Sequence, residues 1–143
     1  MKRFLALTSL ALVALVLTAC PNTSQRQQAA QAAQNASIIV AGFQQGEIAA
    51  HDQGLIPNAD HIFIQKELVT LASVGKATDS CIGGTTSNAG IVSCINTAIG
   101  TVDQINTDGG LYLKSAKAKT DFQLAMLGVR TSLSVIGTIL GGK

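Results

Sequence analysis

The sequence predicts an all-α protein, an up-and-down four-helix bundle following an N-terminal leader. Three observations lead there. Apolar and small residues recur at alternating three- and four-residue spacing in four successive stretches. Each stretch is separated from the next by a short run of turn formers. Two cysteines, Cys81 and Cys94, bracket the second of these runs, where adjacent antiparallel helices would meet.

Taken in order, the first stretch carries Ala29, Ala32, Ala36, Ile39, Phe43, Gly46 and Ala50 on one face, with glutamines mostly off it. Gly42 and Gly46 weaken this helix but would let a neighbour come close. In "HDQGLIPNAD", residues 51–60, Gly54 is suited to end the first helix. Pro57 is suited to the first turn of the second, with Asn58 or Asp60 as caps for a slightly later start. The second stretch presents Ile64, Leu68, Leu71, Gly75 and Thr78, and "GGTTSNAG" breaks it. Ser87 or Asn88 would cap the third, whose face is Ile91, Ile95, Ala98, Val102 and Ile105. Its β-branched content, Ile91, Val92, Ile95, Thr97, Ile99, Thr101 and Val102, would also suit strands. "NTDGG", residues 106–110, is the expected third break. The last stretch runs from Leu111 through Ala118, Phe122, Ala125, Val129, Leu133 and Ile136 to Leu140. Gly137 and Gly141 there form a small-xxx-small pair expected to pack inside the bundle, since Arg130 argues against a membrane span.

The N-terminus has a different character. Met1, Lys2 and Arg3 precede sixteen uncharged, mostly apolar residues, "FLALTSLALVALVLTA". A basic n-region, an apolar h-region and small residues at its end are the layout of a signal peptide. The run ends in "LTAC", Leu17, Thr18, Ala19 and Cys20. This resembles the lipobox of bacterial lipoproteins, a likeness that covers residues 1–20 only. It implies peptidase recognition through Leu17, Thr18 and Ala19, and a lipid on the Cys20 thiol. It also implies cleavage after Ala19 and acylation of the new N-terminus. Two or three acyl chains hold a protein on a bilayer where one barely does. Residue 21 is proline rather than aspartate. By the same resemblance this directs the protein to the periplasmic face of the outer membrane in a Gram-negative host. The expected organisation is a signal peptide over 1–19, a flexible tether over 20–28 and a helical domain over 29–143.

Without its leader the chain has 124 residues, with eight basic residues against eight acidic ones. No basic excess remains to suggest a nucleic-acid partner. There is no tryptophan, and only Phe43, Phe63, Tyr112 and Phe122 supply aromatic bulk. Helices built on alanine and glycine must approach closely to bury enough surface. Three cysteines are an awkward number for an oxidising compartment. With Cys20 lipidated, Cys81 and Cys94 remain as a disulfide pair closing a loop of twelve residues.

Catalytic motifs are absent: no G-x-S-x-G, P-loop, CxxCH or zinc-protease pattern occurs. Glu47 and Glu67 lack the histidine three residues on that di-metal bundles use. His51–Asp52 and Asp60–His61 flank the first break and have the ligand types of a two-histidine, two-carboxylate metal site. No cofactor is expected otherwise. "KSAKAK", Lys114 to Lys119, reads as a solvated helix face or a small contact surface for anionic lipid or polysaccharide. The sequence therefore points to a non-enzymatic, membrane-anchored envelope lipoprotein with a structural or interaction role and an envelope protein as partner. Two other classes are carried beside it. One is a small-molecule or metal-binding bundle using His51 and His61. The other is a phage-encoded envelope factor, either a spanin or a receptor-masking lipoprotein.

Overall fold

The computed structural model describes residues 24–84 and 87–141. Four helices make up the domain: α1 Gln25–Asp52, α2 Asn58–Gly83, α3 Asn88–Tyr112 and α4 Ala116–Gly141. At 25 to 28 residues each, they are about 40 Å long. α1 and α3 each pack against both α2 and α4, the arrangement of an up-and-down bundle. The β-branched third stretch is helical, because its apolar residues fall on one stripe facing the core and burial outweighs intrinsic propensity.

The ends of the helices follow local chemistry. Ser24 and Gln27 form a reciprocal capping box at the start of α1. Gln25–Gln28, expected in the tether, are thus its first turn. Gly54, at φ +70°, closes α1. Its N–H donates to the His51 carbonyl at 2.8 Å while the Leu55 N–H reaches Ala50 at 2.9 Å, the two bonds of a Schellman motif. Pro57 precedes α2 without a side-chain cap, and Ser87 caps α3 by accepting from the Gly90 N–H.

The third break lies later than the sequence suggests. α3 continues through Gly109 and Gly110 to Tyr112, and the turn is made by residues 113–115. Leu111 therefore belongs to α3, where it is exposed. Gly109 stays helical because it is a contact rather than a stop. A Cβ there would lie 2.4 Å from Cε1 of Phe122. Phe122 is itself fully buried, with Phe43 edge-on at 5.8 Å and Phe63 at 6.1 Å.

Close backbone approach is thus centred on Gly109, with Gly128 second, 3.2 Å from Ile39 measured from its ideal Cβ. Gly42, Gly46, Gly137 and Gly141, expected to admit neighbours, have none within 4 Å. The intimate contact of α1 is made instead by Ala29, Ala32, Ala33 and Ala36, all buried. α4 is long and apolar enough to cross a membrane by length and composition. Its Phe122, Val129, Leu133 and Ile136 are buried in the bundle, and Arg130 pairs with Asp103 of α3 at 2.8 Å.

Cys81 and Cys94 are joined in a disulfide, with their Cα atoms 6.6 Å apart. It ties the last turn of α2 to the second turn of α3. Closing a loop of this size contributes about 3 kcal/mol in the chain-entropy model. The double variant Cys81→Ser/Cys94→Ser is expected to lose about that much and to melt about 10 °C lower. Thermal melts of both proteins with and without reductant check this, and wild type should fall to the variant's midpoint only when reduced.

Candidate functional site

The bundle has two unlike ends. One gathers the start of α1, the disulfide and the end of α4. There Arg26 donates to the Gly84 carbonyl at 2.7 Å, and Asn88 to the Gln25 side chain at 3.3 Å. The other end carries the α1–α2 and α3–α4 turns, and it holds both histidines.

Helical spacing builds the histidine cluster. Glu47 and His51 stand one turn apart on α1, as His61 and Gln65 do on α2. The Gly54 turn folds α2 back so that the two pairs face each other. His61 Nδ1 lies 2.7 Å from Glu47 Oε1, and Gln65 Nε2 donates to Oε2 at 2.7 Å. The Glu47 side chain is wholly buried, and both carboxylate oxygens are satisfied, as burial of such a group requires. The tautomer of His61 with its proton on Nδ1 is the one that can donate to a Glu47 carboxylate. His51 stacks on His61, ring centroids 4.0 Å apart and planes at 18°.

This geometry bears on the metal reading. Nearly parallel rings direct their in-plane lone pairs side by side, not toward one point. Among the described residues Asp52 reaches only its neighbour His51, at 3.8 Å. Asp60 points elsewhere, accepting the backbone N–H groups of Lys114 and Ser115. The four expected ligands His51, Asp52, Asp60 and His61 do not converge. Among the described residues no group of three or more histidine, cysteine or acidic side chains is placed to hold a metal.

Glu47 is the member of this cluster that sequence reading overlooked as a site residue. The signal was available: Glu47 lies four residues after Phe43 and three before Ala50, on the buried stripe itself. The lysines of "KSAKAK" lie at this same end, with Lys117 paired to Asp121 at 2.6 Å. The lipobox residues Leu17, Thr18, Ala19 and Cys20 fall outside the described residues.

No protein-family model, no curated protein and no solved structure matches this chain.

Proposed function

We propose that the protein is a lipid-anchored envelope protein whose helical bundle serves a structural or interaction role, not a catalytic one. The observation that carries this is "LTAC", which ends an apolar run with Cys20 four residues before the Ser24 cap of α1. A lipid there would leave only residues 21–23 between anchor and bundle. The disulfide end would then face the membrane, and the histidine end would stand about 40 Å away. That outer end exposes Leu55, Ile62, Leu111 and Tyr112, each more than half accessible. Apolar residues gathered this way favour a protein partner over open solvent. The lysines sit at the same outer end, which favours a role in solvation or partner contact over one in gripping the anchoring membrane. At that end His61 is bonded to Glu47 and stacked on His51, an arrangement suited to fixing the turn.

The test compares the full chain with Cys20→Ala in a bacterial host, by intact mass and membrane fractionation. The expected result is a wild type lacking residues 1–19, heavier by its acyl groups and membrane-bound, beside an unmodified variant. Equal, unlipidated masses for both would overturn the reading.

A further inference from the structure

α2 and α4 flank the same two helices, α1 and α3, and run parallel to each other, so each is a control for the other. Their second halves both lie at the disulfide end. There α4 buries Val129, Leu133, Ile136 and Leu140. After Leu71, α2 buries only Thr78 and Ile82. Both close backbone approaches, at Gly109 and Gly128, involve α4, whereas a Cβ on Gly75 of α2 would meet nothing within 4 Å. The seam of α1 with this half of α2 is a shallow groove open to solvent, lined by Ala33, Ala36, Leu71 and Gly75.

Thr78 weakens the same half further. It is 2 % exposed, and its buried Oγ1 has no hydrogen-bond partner. Elsewhere in these helices eight serine and threonine hydroxyls donate to the carbonyl four residues back. A buried hydroxyl left unpaired costs stability. The polar fastenings of α2 belong to its first half, where His61 and Gln65 hold Glu47 and Asp60 holds the α3–α4 turn. The second half is held instead by a covalent bond, from Cys81 to Cys94 in α3.

We propose that this disulfide is a redox catch on the second half of α2. Its reduction lets residues 72–83 leave the bundle while the first half of α2 stays packed with α1, α3 and α4. The bridge acts on this local opening as it does on global unfolding, by removing loop-closure entropy from the opened state. Both cysteines are half-buried, so a reductant reaches them from solvent. The reductant is a dithiol. One of its thiolates attacks a bridge sulfur, forming a mixed disulfide and releasing the other cysteine as a thiolate. Its second thiol then displaces the remaining cysteine. In sum the bridge takes up two electrons and two protons, and the dithiol becomes a disulfide. Opening uncovers Ala33 and Ala36 of α1 and Leu133 of α4, apolar surface presented only in the reduced state. This does not rest on the lipid-anchor reading.

The test is hydrogen exchange at rising low urea on the full chain carrying Cys20→Ser, so that no third thiol takes part. Oxidised and dithiothreitol-reduced forms are compared. In the reduced form, amides of 75–83 should exchange at least about tenfold faster than those of 129–140. Their rates should barely respond to urea, whereas those of 129–140 should keep the full dependence of global unfolding. In the oxidised form the amides of 75–83 should slow at least about tenfold. Thr78→Val should slow their exchange in the reduced form about fivefold, and Gly75→Ala about threefold. A reduced form in which 75–83 and 129–140 exchange together, with one urea dependence, would overturn the proposal. So would a reduced chain that unfolds as a whole, or local opening to the same extent with the disulfide intact.

Discussion

Gly109→Ala is expected to lower the stability of the bundle by about 3 kcal/mol, against the sign that helix propensity alone would give. Alanine is the better helix former by about 1 kcal/mol. At Gly109 that gain is outweighed, because the new methyl would stand 2.4 Å from Cε1 and 2.5 Å from Cδ1 of Phe122. The ring has no free space to retreat into. It is fully buried, with Phe43 and Phe63 against it. Gly42→Ala is the control, since its Cβ meets nothing within 4 Å; this variant should gain about 0.5–1 kcal/mol. The clash also predicts coupling. Phe122→Leu removes the ring edge, so Gly109→Ala should cost at least 1 kcal/mol less in that background. Chevron or equilibrium urea titrations of wild type and the four variants measure these terms. A Gly109→Ala protein as stable as Gly42→Ala would mean that α3 and α4 do not meet this closely.

The same contact shows where sequence reading reached its limit. The apolar stripes predicted for α2, α3 and α4 are the ones that become buried, apart from half-buried Gly75 and exposed Leu111, because a 3.6-residue period has one inward face. The breaks at Gly54 and Ser87 were legible because each solves a local problem, a left-handed turn in one case and an orphan N–H in the other. "NTDGG" carries the same local signature and means something else. Whether a glycine ends a helix or admits a side chain from another helix depends on a partner far away in sequence, here Phe122. Asp60 misled for the same reason. In sequence it is a helix-start residue, while in the fold its carboxylate serves a turn more than fifty residues away. The candidate site was legible in part. The pairing of Cys81 with Cys94 followed from parity and position, and the nearness of His51 to His61 from the shortness of the turn. That the rings would stack over a buried Glu47 needed the register between α1 and α2, which no local pattern contains.

Asp60→Ala should be the other severe substitution, destabilising by about 3–4 kcal/mol. Asp60 is 2 % exposed. Oδ1 accepts from the Lys114 N–H at 3.0 Å, and Oδ2 accepts from the Lys114 and Ser115 N–H groups at 3.2 and 2.7 Å. Two backbone donors at the α3–α4 turn depend on it, and each costs about 1–3 kcal/mol if left unpaired away from water. The same residue is the sole acid in the first turn of α2, whose N-terminus has no side-chain cap. Its removal therefore takes favourable charge from that helix end as well. Asp60→Asn keeps one acceptor oxygen and the side-chain volume but loses the charge. It should cost clearly less, about 1–2 kcal/mol. Hydrogen exchange supplies a local readout, with the Lys114 and Ser115 amides accelerating in the alanine variant before the core amides of α4 do. Equal stabilities for the alanine and asparagine variants would mean that the carboxylate is not holding the turn. If it is, Asp60 bridges the α1–α2 and α3–α4 turns at one end of the bundle. It would then fix the spacing of Leu55, Ile62, Leu111 and Tyr112 at the histidine end. A partner that reads that face would lose affinity for Asp60→Ala without any contact to residue 60.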